Sequence, residues 1–362
     1  MAKKFFILIA LLLSVFTHAA NTKPSCEPGC ATPWTNCYGN FNWASGEKYT
    51  GEWLNGLASG LGELSYANGD KYIGEFKNNV FHGKGIYMFS NGNKIESEWI
   101  GGKAQGQGTY YNLAEDDAKG RKYVGLFKDS LRDGYGILYY PSGDIFKGEW
   151  KNDMANGFGL FLHHADGERK GDKFAGNYIN SQENGHGTYL YANGNRYVGY
   201  HHNGTRSGKG AYIYSGGVQY RGEFKNGQLN GAGSYSYKNF IEYVGEFKNY
   251  RYEGHGKLYT VFDGHYTGAF VGGKRDGKGV LTYKNGDVYD GFWKDDLPNG
   301  QGTYYYNANN FFKGDHYSGT WKNGLPNSYG FAGIANKVKL IWVKLDGASS
   351  SGSVIMNLTQ PR

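Results

Sequence analysis

The side chains best suited to chemistry in this sequence are two histidine pairs, His163-His164 and His201-His202, with Tyr200 beside the second pair. Histidine titrates near neutral pH and is a common metal ligand. Neighbouring residues of a strand point to opposite faces, so neither pair can direct both rings at one metal ion. We therefore predict no metal site and no cofactor, and we take Tyr200, His201 and His202 as candidate binding residues.

A glycine-rich stretch, GGKRDGKG at Gly272–Gly279, matches part of the phosphate-binding loop pattern. It contains G-x-x-x-x-G-K but ends in Gly279, where such loops carry the Ser or Thr whose hydroxyl binds Mg²⁺. Carboxylates are scattered along the chain, and the sequence places no pair at a catalytic separation. We predict that the protein is not an enzyme. A composite active site around residues 200–202 is a third hypothesis, after the two binding hypotheses below.

The first twenty residues have the composition of a secretory signal peptide. Lys3 and Lys4 precede an apolar run over residues 5–16, and small residues follow at Ala19 and Ala20. This run is shorter than the roughly 20 residues that span a bilayer as a helix. We predict that the protein is secreted or reaches the periplasm or cell envelope. The alternative is a chain anchored in the membrane by an uncleaved signal.

All three cysteines, Cys26, Cys30 and Cys37, lie in the polar segment 21–38. In an exported chain, such cysteines favour a disulfide. Either Cys30–Cys37 or Cys26–Cys37 would close a small N-terminal cap, and one thiol is left over. Three cysteines without a nearby histidine are a poor set of zinc ligands, so a metal is not expected here.

The elements that position these residues come from an internal repeat, of which Tyr220–Glu242 (YRGEFKNGQLNGAGSYSYKNFIE) is one copy. With the first residue numbered zero, this copy has aromatics at 0 and +4, Gly at +2, +11 and +13, Glu at +3, Lys at +5, and Tyr at +15 and +17. Successive copies lie 23 residues apart in eight of eleven steps and 28 apart in the other three. Twelve copies begin at Tyr49, Tyr72, Ile95, Tyr123, Phe146, Phe174, Tyr197, Tyr220, Tyr243, Tyr266, Tyr289 and Tyr317.

Each copy predicts two strands joined by an Asn-Gly-rich turn, which makes an all-β chain of hairpins. Glycine weakens a strand interior, so its recurrence there needs a reason. We expect the glycines at +11 and +13 to leave room for the +4 ring across the hairpin, and the +4 rings to stack from copy to copy. Glu at +3 and Lys at +5 should form solvated charge rows on the opposite face.

The string Y-x-G-E-(W/F)-K-N-G-x-x-x-G-x-G, with its 23-residue period, resembles the MORN repeat over about 280 of the 362 residues. The resemblance implies an elongated, twisted antiparallel sheet of successive β-hairpins, solenoid-like, that acts as a scaffold or a binding surface. It also implies phospholipid headgroups or proteins as partners. We expect a signal peptide at 1–20, a Cys-containing segment at 21–38, the repeat array at 39–330, and a C-terminal capping strand and tail at 331–362.

Composition narrows the class of partner. The chain has 39 basic and 32 acidic residues, a net charge of +7, and no Lys/Arg cluster dense enough to predict nucleic-acid binding. This mild excess permits attraction to anionic lipid or surface polymers. The leading hypothesis is a non-enzymatic exported scaffold for a protein partner. The alternative is a binder of anionic lipid headgroups or surface glycans through the repeat face.

Overall fold

The computed structural model describes residues 23–27, 33–327, 330–334 and 337–343. The chain divides into two compact units, with the boundary between Asn184 and Gly185. The predicted signal peptide (1–20), Cys30 and the tail after residue 343 lie outside the described residues. The described part contains no helix, and hence none long and apolar enough to cross a membrane.

Strands follow one another through both units, and β13 (Gln182–Leu190) contains the boundary between them. The first unit contains β1 Cys37–Asn42, β2 Lys48–Leu54, β3 Leu57–Ser65, β4 Lys71–Lys77, β5 Val80–Met88, β6 Lys94–Ile100, β7 Lys103–Tyr111, β8 Lys122–Lys128, β9 Leu131–Tyr139, β10 Ile145–Lys151, β11 Met154–Leu162 and β12 Lys173–Ile179. The second unit contains β14 Arg196–His202, β15 Thr205–Ile213, β16 Val218–Lys225, β17 Gln228–Tyr237, β18 Ile241–Lys248, β19 Arg251–Thr260, β20 Gly264–Val271, β21 Lys274–Tyr283, β22 Val288–Lys294, β23 Leu297–Tyr305, β24 His316–Lys322, β25 Leu325–Pro326, β26 Gly330–Ile334 and β27 Lys337–Val343.

Within each unit, neighbouring strands pair antiparallel in chain order, and β24 pairs with both β25 and β26. The all-β, solenoid-like series of hairpins predicted from the sequence is therefore confirmed. The last described strand, β27, pairs with β26.

The turn inside each hairpin is formed by two residues with positive φ. Asn226 and Gly227 have φ of 50° and 77°. Positive φ at both central residues defines a type I′ turn, whose twist matches that of paired strands and which favours Asn and Gly. Gly272 and Gly273, with φ of 59° and 95°, form the same turn. The stretch that partly matches a phosphate-binding loop is therefore one more hairpin.

In the described part of the chain, a β-bulge interrupts the pairing within ten copies, and in eight of these a tyrosine at position 0 packs at the bulge. In the hairpin of β16 and β17 the register shifts between Gly222 and Phe224. Tyr220 is fully buried, and its hydroxyl donates a hydrogen bond to the carbonyl oxygen of Glu223 at 2.9 Å. The same bond is made by Tyr49, Tyr72, Tyr123, Tyr197, Tyr243, Tyr266 and Tyr289. The hydroxyl thus satisfies a carbonyl at the point where the strand ladder is interrupted.

The repeated glycines make room for this tyrosine, and the prediction that they accommodate the +4 ring is wrong. A Cβ on Gly233 would lie 2.7 Å from the Tyr220 hydroxyl oxygen, and a Cβ on Gly222 would lie 2.5 Å from it. Gly231, at +11, has another role: its φ is +74°, and a Cβ there would overlap the carboxylate of Glu223. A left-handed φ inside a bulged strand favours glycine strongly.

The buried rings form an alternating series on one side of the strands. We term this side, which carries rings such as Tyr220 and Phe224, the aromatic face, and the opposite side, which carries Lys225, the polar face. The centroid of Tyr220 lies 5.2 Å from that of Phe224 and 5.0 Å from that of Phe247 in the next copy, with nearly perpendicular planes. The +4 rings therefore contact tyrosines on either side, not one another as predicted. Such edge-to-face pairs contribute about 0.5–1.5 kcal/mol each beyond their burial.

The Asp or Asn at +21 links successive turns, a feature that the sequence reasoning missed. Asp287 is 4% exposed. Its Oδ1 accepts hydrogen bonds from the backbone N–H groups of Asn307 and Ala308, both at 2.8 Å, and its Oδ2 accepts one from the Tyr304 hydroxyl at 2.9 Å. The side chain of one turn therefore holds the backbone of the next.

The N-terminal segment covers the first ring of the series. Cys26 and Cys37 form a disulfide, one of the two pairings that the sequence leaves open. Trp34 packs edge-on against Trp53, with centroids 5.2 Å apart. Glu52, predicted to be solvated, is only 9% exposed and forms an ion pair with Lys23, so that prediction is wrong at this position.

Candidate functional site on the aromatic face

The structure distributes the predicted residues Tyr200, His201 and His202 over both faces of β14. His201 takes the +4 position on the aromatic face, is 3% exposed, and meets Tyr197 edge-on with centroids 5.1 Å apart. Burial lowers the pKa of His201 to about 4, so its ring is neutral at physiological pH. Tyr200 and His202 are exposed on the polar face, and the Tyr200 ring lies 4.0 Å from that of His186. The three residues therefore do not form one site.

Position +9, which the sequence reasoning did not single out, lies over the aromatic rings. Phe81 stacks on Tyr72 with centroids 3.7 Å apart, and Tyr252 stacks on Tyr243 at 3.8 Å. The residue type at +9 changes from copy to copy, so periodicity alone does not reveal it. Its only signal in the sequence is its place two residues after the type I′ turn.

Three copies place an arginine at +9: Arg132, Arg206 and Arg275. The Cζ atom of Arg132 lies 4.4 Å from the ring centroid of Trp150. The Cζ atom of Arg206 lies 5.1 Å from the ring centroid of Tyr212. Guanidinium groups within about 6 Å of a ring centroid are attracted by the ring quadrupole. The aromatic face therefore carries cations held in place by the rings beneath them.

One copy places a carboxylic acid at +9. Glu183 is half-buried, and its burial raises the pKa of the carboxyl group to about 7, against the opposing effect of Arg169. This side chain is therefore partly protonated near neutral pH, unlike an ordinary glutamate. Nothing in the spacing of the repeat distinguishes Glu183 from its exposed neighbours, so the sequence did not predict it.

In one copy with a small +9 residue, Ala58, the aromatic face is hollow. At Ala58 a hollow of about 390 Å³ lies over the rings of Tyr49 and Phe76 and is bordered by Trp43 and Tyr66. The next copy places Phe81 at +9, where its ring stacks on Tyr72. In these two copies, the residue at +9 therefore decides whether the rings are open or covered.

Half-buried and exposed tyrosines at +15 and +17 border the +9 positions. The ring centroids of Tyr212 and Tyr214 lie 4.6 Å apart, and those of Tyr189 and Tyr191 lie 4.5 Å apart. Tyr214 is 38% exposed, and burial raises the pKa of its hydroxyl, which therefore remains a protonated donor. Such tyrosines offer a ligand both ring surface and a hydrogen bond.

The polar face has a different character. A shallow hollow of about 580 Å³ near the end of the repeats is lined by Lys278, Asp290, Phe292, Gln301 and Thr303, among others. The lysines at +5 are exposed: Lys77, Lys128, Lys151, Lys225, Lys248, Lys294 and Lys322. Within the described part of the chain, no three or more His, Cys, Asp or Glu side chains lie close enough to hold a metal ion.

Two solved structures to which the chain is similar are both distant matches. The TCP domain of SAS-4 from Drosophila melanogaster is 14% identical, with 53% of this chain and 92% of that chain covered and a TM-score of 0.27. A streptogramin B lyase is 12% identical, with 70% and 87% covered and a TM-score of 0.13. TM-scores this low do not establish a shared fold. No curated protein matches the chain.

The family model of the MORN repeat matches eleven segments of the chain, which together make up more than half of it. They are residues 49–71, 72–94, 96–112, 123–145, 146–163, 174–196, 220–240, 243–260, 266–288, 289–310 and 317–331. The predicted copy that begins at Tyr197 lies between two of these segments, although β14 and β15 form its hairpin. This copy carries His201 in place of the +4 aromatic. The chain belongs to the MORN-repeat family.

Proposed function

We propose that the protein is an exported, non-enzymatic scaffold that binds a protein partner at the cell envelope or outside the cell, through its aromatic face. MORN repeats are in general modules for protein or lipid interaction and not a family of enzymes. The observation that carries the proposal is the guanidinium group of Arg206, which lies over the rings of Tyr212 and Phe224 beside the exposed ring of Tyr214.

These side chains favour a protein as the partner. Tyrosine and arginine are enriched at protein interfaces and among the residues that dominate binding energy. The guanidinium group of Arg206 loses little freedom on binding, because it already lies 5.1 Å from the ring centroid of Tyr212 and donates a hydrogen bond to the carbonyl oxygen of Gly227. A partner would therefore meet a surface that is ordered in advance.

Two observations support export. The first twenty residues have the charged, apolar and small-residue segments of a secretory signal peptide. Cys26 and Cys37 form a disulfide, a bond that persists mainly in oxidising compartments. Both agree with a mature chain that begins near Asn21.

A second candidate function is binding to anionic lipid headgroups or acidic surface glycans. The exposed row of lysines at +5 on the polar face favours it, because exposed cations attract anionic surfaces. This attraction would weaken as salt is added, since surface charges are screened.

The experiment that separates the two functions is a pull-down with the mature chain against envelope and surface extracts, at low and at high salt. We expect a protein that remains bound at high salt. We also expect Tyr214→Ser, on the aromatic face, to reduce its recovery, and the matched change Tyr200→Ser, on the polar face, to leave recovery unchanged.

Recovery of lipids or glycans alone, and only at low salt, would contradict the leading proposal and favour the second function. Equal loss of the protein partner in Tyr200→Ser and Tyr214→Ser would contradict the assignment of the aromatic face as the binding surface.

A further inference from the structure

We propose that Arg206 and the turn at Gly227 form a binding site for a carboxylate, supplied by an acidic side chain of a protein partner. The inference rests on the proposed function and names one chemical group that the partner must present. The other two arginines at +9 show what such a site looks like when filled, because each already binds a carboxylate of its own chain.

Arg132 and Asp153 are the clearest example of a filled site. Oδ1 of Asp153 accepts hydrogen bonds from the backbone N–H of Arg132 at 2.9 Å and from its Nε at 3.0 Å, and the carbonyl oxygen of Asp153 accepts one from Nη2 at 2.8 Å. Arg275 makes the same three contacts with Asp296, at 2.9, 3.3 and 3.2 Å. The Asp153 and Asp296 side chains are 43% and 45% exposed, so solvent reaches the position of the carboxylate.

Arg206 has the same position without the carboxylate. Gly227 takes the turn position that Asp153 takes beside Arg132, and its carbonyl oxygen accepts the equivalent hydrogen bond from Nη2 of Arg206 at 2.8 Å. The N–H of Gly227 donates to the carbonyl oxygen of Arg206 at 2.9 Å, as Asp153 does to Arg132 at 3.0 Å. The backbone frame of the site is therefore the same in both copies.

The space for a carboxylate is open at Gly227. A Cβ built there would come no closer than 3.7 Å to any neighbouring atom, at Cγ2 of Thr205, and would lie 4.0 Å from Nη2 of Arg206. Among the described residues, no carboxylate forms an ion pair with Arg206. Beside Arg132, the Nε and backbone N–H donors hold Oδ1 of Asp153. Arg206 has the same two donors, but Gly227 has no side chain to accept hydrogen bonds from them.

The surroundings favour an acidic side chain over a small free anion. The Tyr212 ring lies beside the guanidinium, and Tyr250 is 50% exposed while its hydroxyl donates to the carbonyl oxygen of Gly227 at 2.9 Å. These rings can cover the apolar stem of a glutamate or aspartate, and the guanidinium fork matches carboxylate geometry. A peptide segment would bring both the carboxylate and the neighbouring atoms that contact the tyrosines.

The test measures binding of fluorescein-labelled decaglutamate to the full mature chain by fluorescence anisotropy at low salt. Arg206→Gln should weaken binding about tenfold or more, because it removes charge-assisted hydrogen bonds. Gly227→Asp should weaken it to a similar degree, because the new carboxylate would occupy the site as Asp153 does. Asp153 adopts a φ of 66°, so aspartate is compatible with this turn position.

Arg132→Gln is the matched control, since it removes the same charge at a site that Asp153 already fills. Binding by this variant should stay within about twofold of the wild type. Equal binding by wild type, Arg206→Gln and Gly227→Asp would overturn the proposal. An equal loss in Arg132→Gln would also overturn it, because it would indicate only general charge attraction.

A stability measurement tests the same geometry without a ligand. Gly227→Asp should raise the urea midpoint of unfolding in the wild-type background and fail to do so in the Arg206→Gln background. No difference between the backgrounds would refute the site.

Two binding results would change the assignment of the ligand. Oligogalacturonate that binds more tightly than decaglutamate, and loses this binding in Gly227→Asp, would overturn the peptide assignment in favour of an acidic glycan. Capture of a protein partner without binding of decaglutamate would overturn the carboxylate site and leave the proposed function standing.

Discussion

At the scale of single residues, the copy that begins at Tyr197 departs from the repeat where a histidine replaces a core ring. His201 is 3% exposed and packs edge-on against Tyr197, as phenylalanine and tryptophan do at +4 in other copies. Phenylalanine and tryptophan carry no proton that titrates near neutral pH, whereas histidine does. Histidine at position 201 therefore keeps the ring packing of the +4 position and makes the stability of the fold depend on pH.

His201→Phe is expected to make the protein more resistant to acid. The pKa of His201 falls from 6.5 to about 4 on folding, so the unfolded state binds the proton more tightly. The stability present above pH 6.5 is then lost as the pH falls through 6.5 toward 4, which amounts to about 2 kcal/mol near pH 5. Urea unfolding near pH 8 and near pH 5 should show a smaller difference in the variant than in the wild type.

The matched control is His202→Phe at the exposed neighbouring position. This variant should keep the acid sensitivity of the wild type. A variant His201→Phe that loses as much stability as the wild type between the two pH values would contradict the assignment of the sensitivity to His201.

At the scale of the hairpin, the bulge explains why tyrosine recurs at position 0. Its ring lies against the glycines at +2 and +13, and its hydroxyl reaches the carbonyl oxygen at +3. Phe146 and Phe174 hold the position in two copies, so the ring alone is compatible with the hairpin. The hydroxyl then adds a hydrogen bond to packing that already exists.

Tyr220→Phe should therefore lower the free energy of unfolding without disrupting the hairpin. The carbonyl oxygen of Glu223 would lose its donor at 2.9 Å in a buried setting, which costs about 1–3 kcal/mol. The measurement is urea unfolding at neutral pH, with Tyr200→Phe on the exposed polar face as control. A loss in the control equal to that in Tyr220→Phe, or no loss in either, would contradict the role given to the buried hydroxyl.

The sequence predicts the hairpins well and their internal packing less well. The period and the Asn-Gly turns follow from residues such as Asn226 and Gly227, because turn geometry is local. The bulge at Glu223 depends on pairing register, so the prediction that Gly231 and Gly233 make room for the +4 ring is wrong: Gly231 accommodates the Glu223 carboxylate and Gly233 accommodates Tyr220. The role of Arg206 was missed for the same reason, since it depends on a turn one copy further along the chain.

At the scale of the whole molecule, stability is built from contacts between neighbouring copies. In the second unit, Tyr220 contacts the ring of its own copy and that of the next, and Asp287 holds the following turn. Repeat arrays of this kind gain stability from each copy and from the contacts between adjacent copies. A local change should therefore weaken its own neighbourhood first.

The disulfide at the start of the first unit offers a test of whether a local change weakens only the neighbouring strands. Cys26 and Cys37 are 11 residues apart, and a loop of this size contributes about 3 kcal/mol when closed. Replacing both by serine should release Trp34 from Trp53 and reduce the hydrogen-exchange protection of β1 and β2. The strands β20 and β21 of the second unit should keep their protection.

Cys30→Ser, which leaves the Cys26–Cys37 bond in place, is the control and should exchange like the wild type. Uniform loss of protection through β20 and β21 in the double serine variant would show one cooperative transition instead of local unfolding. Retention of β1 protection without the disulfide would contradict the stabilising role given to the covalent bond. The locality expected here follows from the absence of ring contacts between β1 and strands beyond its neighbours in the described first unit.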